Sequence, residues 1–153
     1  MEKLLISACL LGENVKYNGK NNKIDTAEIA KYFEFVPICP EVMGGLPIPR
    51  MPSERKDDKA INQIGNDVTN NYELGKDIAI NIAKNNHIKY ALLKSKSPSC
   101  GNDFIYDGTF SHTLINKSGV TAEALKKIGV IVFNENQIDD LLHLLKTKTP
   151  INN

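Results

Sequence analysis

The chain has 153 residues, with 19 basic against 18 acidic side chains and a net charge of +1. That length suits one core, so residues 1–153 are expected to form a single domain. The balanced charge excludes a broadly basic nucleic-acid binder, and no apolar run is long enough to cross a bilayer.

Met1-Glu2-Lys3-Leu4-Leu5-Ile6 has neither the length nor the cleavage pattern of a signal peptide. It reads as the approach to a strand, and a cytoplasmic location is expected. The continuous apolar run over 4–9 predicts a strand buried on both faces. A polar loop follows, with Tyr17-Asn18-Gly19 as a turn signal. Asp25-x-x-Glu28 has the form of a capping box and predicts a short helix reaching about Phe33. A second strand is expected over 35–39. From Pro40 to about Asp67, Pro40, Gly44, Gly45, Pro47, Pro49 and Pro52 exclude a regular helix or a central strand. Loops of that length are usually functional or disordered.

A long helix is expected over 70–85, with Leu74, Ile78 and Ile82 beside Ala79 and Ala83 on its apolar face. A third strand spans 90–95, and Lys96-Ser97-Pro98-Ser99-Cys100-Gly101 makes a tight loop. Residues 104–110 predict a small hairpin turning at Asp107-Gly108. Thr121 is the expected cap of a helix that ends at Gly129, and 130–133 is a fourth strand. Asn136 is the expected cap of a last helix, with Ile138, Leu141, Leu142 and Leu145 on its core face.

This alternation predicts an α/β class: a three-layer, Rossmann-like fold whose mostly parallel sheet is covered by helices. Right-handed crossovers place the carboxyl ends of the strands on one edge, where open α/β sheets bind ligands. Cys9 and Cys39 end the first two strands, and Cys100 follows the third. Topology therefore gathers three thiols at one edge.

Three converging thiolates without a fourth point to a metal centre with one open position. Three small buried hydrophobes are the alternative. That alternative fits Cys9 better than Cys39 and Cys100, which sit in loops flanked by proline or glycine. Free amides at helix-capping loops also favour thiolate. Soft thiolates suit zinc or an iron–sulfur cluster. Structural zinc normally takes four ligands from close cysteine pairs. Here 30 residues separate Cys9 from Cys39, and 61 separate Cys39 from Cys100. His87 and His143 lie near helix ends and His112 past the hairpin turn, and none is expected to be a ligand.

Glu41, two residues after Cys39, is the candidate acid/base if its loop folds over the thiols. Ser97 and Ser99 flank Pro98 and either orient a substrate or simply stabilise a turn. Lysine outnumbers arginine 17 to 2, yet both arginines, Arg50 and Arg55, lie in one loop. Their planar forks suit a base, a phosphate or a carboxylate.

Five stretches carry a resemblance: Ser7-Ala8-Cys9-Leu10-Leu11-Gly12, Cys39-Pro40-Glu41-Val42-Met43-Gly44-Gly45-Leu46-Pro47-Ile48-Pro49-Arg50, Lys94-Ser95-Lys96-Ser97-Pro98-Ser99-Cys100-Gly101, Ile105-Tyr106-Asp107-Gly108-Thr109-Phe110 and Gly119-Val120-Thr121-Ala122. They are similar to the motifs of a family long catalogued as a domain of unknown function, whose characterised members are thiouracil desulfidases. The resemblance covers about 4–145. It implies a 4Fe–4S cluster held by Cys9, Cys39 and Cys100, with one iron left to take the substrate's sulfur. Such an exposed cluster is expected to be lost in air. It also implies attack by water on the thiolated carbon without net redox change, with Glu41 and Ser97 handling protons and orientation. Ser99, Arg50, Gly44 and Gly45 are the expected substrate-binding positions. Asn18 stands where many relatives have an acid, which removes any acidic role there. Longer relatives carry an extra C-terminal domain and resemble enzymes of thiouridine in transfer RNA. A chain ending at Asn153 fits a small thiolated pyrimidine instead: 4-thiouracil, its nucleoside or its nucleotide. No membrane association and no strong nucleic-acid binding are expected. The competing readings are a non-catalytic iron–sulfur or zinc sensor or carrier, and an RNA-associated module acting on thiolated transfer RNA.

Overall fold

Leu4, Leu5 and Ile6 run through the first strand without a polar break, and all three are fully buried. In the computed structural model, which describes residues 1–148, that strand lies inside a parallel sheet. The strand β1 (Glu2–Ser7) is flanked by β2 (Phe33–Ile38) and β5 (Tyr90–Leu92). The edge strand β8 (Ile131–Phe133) adds to β5, so the order is β2-β1-β5-β8. Successive side chains point to opposite faces, which gives the sheet two cores. On one face Leu5, Ala91 and Leu93 pack against Ala79, Ala83 and Leu125, carried by α2 (Thr69–Asn85) and α3 (Val120–Lys127). On the other, Leu4, Ile6 and Leu92 pack against Leu141 and Leu142 of α4 (Ile138–Lys148). The three-layer α/β fold expected from the sequence is present.

Several elements differ in ways that shape the site. The first strand stops at Ser7, and Cys9 sits in a 3-10 turn, Ala8–Leu11, closed by Gly12 at φ 96°. No capping box forms at Asp25. Its carboxylate accepts the Ala27 N–H two residues on, and only a single 3-10 turn, Ile29–Lys31, precedes β2. This local side-chain turn competes with helix nucleation. The segment 40–67 holds the short helix α1 (Pro40–Met43) and a hairpin of β3 (Ser53–Lys56) and β4 (Lys59–Asn62). Pro40 is tolerated because the first helical position has no intrahelical use for an N–H.

The inward face of α2 is Tyr72, Gly75, Ala79 and Ala83, whereas Leu74 is 51% exposed. Contact with α1 decides this. A Cβ on Gly75 would collide with the Pro40 carbonyl, and one on Gly44 with the Asn71 carbonyl. Only small residues permit so close a crossing. In the second hairpin, β6 (Phe104–Tyr106) pairs with β7 (Leu114–Asn116), so residues 107–113 form a loop in place of a tight turn at Asp107-Gly108. Gly119, not Thr121, is the N-cap of α3, and Thr121 is buried in its first turn. At α4 the Leu141 N–H bonds the Gln137 carbonyl, while the Gln137 side chain accepts from Asn134. Asn136 is instead tied back to the Asn134 side chain.

Gly75→Ala should therefore destabilise the chain by about 3 kcal/mol through overpacking. Urea unfolding measures it, and a variant as stable as the parent would contradict the close crossing.

Candidate active site

Parallel register aligns the strand ends. Ser7 stands opposite Ile38, and Ile6 opposite Leu92. Cys9 follows β1 in its 3-10 turn, and Cys39 is the N-cap residue of α1. Cys100 lies farther past its strand and is brought back by a closed turn. Ser97 Oγ accepts the N–H groups of Ser99 and Cys100 at 3.1 and 3.0 Å. The first turn of α3 then grips this turn: Val120 N–H donates to the Pro98 carbonyl at 2.9 Å, and Thr121 and Ala122 donate to the Ser99 carbonyl. Gly119 passes so close to Ser97 and Ser99 that a Cβ there would collide with their backbone.

All three cysteines line one cavity of about 560 Å³, together with Glu41, Arg50, Lys94, Lys96 and Ser97. That volume is typical of a small-molecule site. Burial pushes every one of the thiols above the ordinary cysteine range, Cys100 the furthest. The groups acting the other way are the Asn22 side chain and Lys94 at Cys9, the Val42 backbone and Arg50 at Cys39, and Ser7 at Cys100. The expected thiolate preference is thus outweighed by desolvation in the protein alone. Metal binding reverses this balance, because a coordinating thiol gives up its proton.

Among the described residues, no three His, Cys, Asp or Glu side chains stand close enough to share one metal ion. A cubane cluster places each cysteine on a different iron, so its ligands stand farther apart than those of a single zinc. Three separated soft donors around a roomy cavity fit such a cluster and do not fit one zinc ion.

Glu41 is held on one side. The buried Tyr72 hydroxyl donates to its Oε2 at 2.6 Å, and Arg50 Nε stands 3.6 Å from the same atom. Burial and the adjacent carboxylate hold the Tyr72 phenol well above its ordinary range, so it remains a donor. The Arg50 side chain is only 6% exposed. Its terminal nitrogens donate to the Val15 and Pro47 carbonyls, while its buried Nε has no hydrogen-bond partner among the described residues.

The remaining candidates lie elsewhere. Ser99 is buried, donates to Thr121 Oγ1 at 3.0 Å, and does not line the cavity. Gly44 and Gly45 are also outside the lining, with Gly44 at the crossing with α2. Arg55 bonds the Ser118 carbonyl and pairs with Glu123 at 2.9 Å, away from the cavity. His112 lines the cavity, and His87 and His143 do not.

Three further residues hold groups of the cavity wall through distant partners. Tyr72 is one, separated from Glu41 by 31 positions. Glu54, 8% exposed, accepts the N–H groups of Gly108 and Phe110. Glu135 accepts from Ser95 N–H at 2.7 Å and pairs with Lys94 at 2.9 Å.

The fold and cavity define a Rossmann-like α/β protein with a thiol-lined cleft at the carboxyl edge of its sheet. The chain belongs to the 2-thiouracil desulfurase family, whose profile matches residues 4–137. It is 37% identical over 150 residues to YbbK of Bacillus subtilis, an uncharacterized protein, across 91% of this chain and 99% of YbbK. The solved structure of TudS, a 4Fe–4S-dependent thiouracil desulfidase, matches with a TM-score of 0.91 at 37% identity, over 96% of this chain and 99% of that one.

Burial raises the Glu135 carboxyl, but the Ser95 N–H and Lys94 together hold it below the ordinary glutamate range. A lowered folded value means stabilisation that is complete above the ordinary range and lost as pH falls through the lowered one. Glu135→Ala should cost about 2 kcal/mol at pH 7. That difference should shrink below about pH 4. Urea unfolding across pH measures it, and a gap unchanged down to pH 3 would contradict the pairing.

Proposed function

We propose that this chain is an iron–sulfur-dependent thiouracil desulfidase: thiouracil and water give uracil and hydrogen sulfide, without net oxidation or reduction. The convergence of three thiols with Glu41 and Ser97 in one cavity carries this reading. The kinship with TudS supplies the substrate class and the cofactor. Cys9, Cys39 and Cys100 would hold the 4Fe–4S cluster. Bound there, it supplies an iron without a protein ligand, a soft Lewis acid matched to sulfur.

The protein's own groups do the rest. Glu41 takes the proton of the attacking water. Its Oε2 is engaged by Tyr72 and faced by Arg50, so Oε1 is the oxygen we assign to receive that proton. Ser97 has both acceptor positions used by the Ser99 and Cys100 N–H groups. Its single proton is left to donate to a ring heteroatom as negative charge develops. Arg50, also in the cavity wall, sets its guanidinium charge beside Glu41 Oε2. Ser99, Gly44 and Gly45 support the substrate pocket from behind, through the turn and through the seat of α1. The three free cysteines suit a reducing compartment, and we place the protein in the cytoplasm. Among the described residues, no helix is long and apolar enough to cross a membrane. The balanced charge favours a small pyrimidine over a nucleic acid.

Purified without oxygen, the protein should be brown and contain iron and sulfide, and it should release sulfide from 2- or 4-thiouracil. Cys100→Ser should lose colour and turnover together, and full turnover in that variant would contradict the reading. Glu41→Gln should keep the colour while kcat falls by about 100-fold or more. Tyr72→Phe, which removes one hydrogen bond to that carboxylate, should lower kcat by about ten-fold with KM little changed. Steady-state kinetics on colour-matched samples separates these outcomes, and a wild-type kcat in Glu41→Gln would remove it as the base.

A further inference from the structure

Residues 107–113 join β6 to β7 and reach over the cavity that the thiols line, with Phe110 and His112 in its wall. Both residues adopt a left-handed backbone, at φ 57° and 59°. That conformation is unfavourable for bulky side chains and persists only where surrounding structure imposes it.

The imposing contacts are on the loop. Glu54 Oε1 accepts the N–H of Gly108 and of Phe110, each at 3.0 Å. The Glu54 carboxylate forms no ion pair among the described residues, so the loop N–H groups are its partners there. Gly108 sits so close to Lys56 that a Cβ would collide with it, which fixes the loop against β3. Within the loop, Asp107 accepts from Thr109 N–H and Oγ1, and the Tyr106 ring meets the His112 ring edge-on at 5.7 Å. A loop held by Glu54 and β3, with left-handed backbone at Phe110 and His112, lines the cavity with two aromatic residues. Nothing in the packing of the core requires that.

We propose that this loop is a preorganised stacking wall for the pyrimidine ring. Phe110, the more buried of the two, is the face on which the base lies, and His112, braced by Tyr106, closes the mouth. Glu54 is a positioning residue that acts through Phe110. The proposal rests on the reading of the cavity as a thiouracil site and deepens it by naming the group that recognises the flat ring. Aromatic faces suit this task because a planar base stacks whatever its substituents, and each such contact typically changes affinity severalfold to a hundredfold. Fixing the ring beforehand removes the ordering penalty at binding.

The test is calorimetric titration of uracil into the anaerobic holo protein, since uracil is the product and cannot turn over. Phe110→Ala should weaken uracil binding by about ten-fold or more, with iron and sulfide content unchanged. Phe110→Tyr, which keeps the ring face, should bind as the parent does. Should Phe110→Ala lose its cluster, Phe110→Leu retains apolar bulk without a π face and should show the same weakening. Glu54→Ala should weaken binding comparably, and Glu54→Gln, which keeps the accepting oxygen, should not. The double variant Glu54→Ala, Phe110→Ala should be no weaker than Phe110→Ala alone. Parent-like affinity in the Phe110→Ala or Phe110→Leu variant overturns the wall, as does a parent holo protein that fails to bind uracil. A protein that binds uracil through Phe110 yet releases no sulfide from thiouracil overturns the desulfidase reading and leaves the wall standing.

Discussion

The site depends on the parallel pairing of β1 with its two neighbours. Because Ser7 is registered with Ile38, and Ile6 with Leu92, three strands end at nearly the same height. Cys9 and Cys39 then reach that edge within two residues of their strands, and Cys100 is brought back to it by the closed turn over 97–100. A slip of one residue in either pairing would exchange the two faces of a strand and carry its cysteine away from the others. Leu4, Leu5 and Ile6 guard against that slip, since both faces of β1 are buried and each has its own partners.

What register begins, close backbone contacts finish. The crossing of α1 over α2 at Gly44 and Gly75 seats Cys39 and Glu41 together, because one residue is the N-cap and the other lies in the first turn. Likewise the α3 N-terminus holds the turn that ends in Cys100, through amides that would otherwise lack partners. These amides are occupied by the carbonyls of Pro98 and Ser99, so they build the site without facing it. The electrostatics follow from the same construction. Burial keeps the thiols neutral in the protein alone, while Lys94 and Arg50 stand ready to favour the thiolate once a metal draws off the proton. Glu41 is fixed by Tyr72 on one oxygen, so its direction is decided before any substrate arrives.

The sequence made the strand pattern and the edge position of the cysteines legible, because alternation of elements and right-handed crossovers constrain topology strongly. It also marked Glu41 and Ser97, which lie within a few residues of a thiol. Contacts between distant segments were not legible. Leu74 looked like a core residue until the crossing with α1 turned Gly75 inward. Ser99 looked like a site residue, but Thr121, 22 positions away, takes its hydroxyl. The Asp25 motif had the right spacing for a helix start, yet its own two-residue turn to Ala27 won. Tyr72 and Glu135 hold Glu41 and the 94–95 segment through partners that no local pattern announces.

Mössbauer spectroscopy of iron-57-loaded protein, prepared without oxygen, bears most directly on the three-thiol centre. Three cysteine ligands and one iron without a protein ligand should give a spectrum in which one iron of the four in a 4Fe–4S cluster is distinct, and thiouracil should perturb that iron selectively. Four equivalent irons, untouched by thiouracil, would contradict an open position at the edge of the sheet.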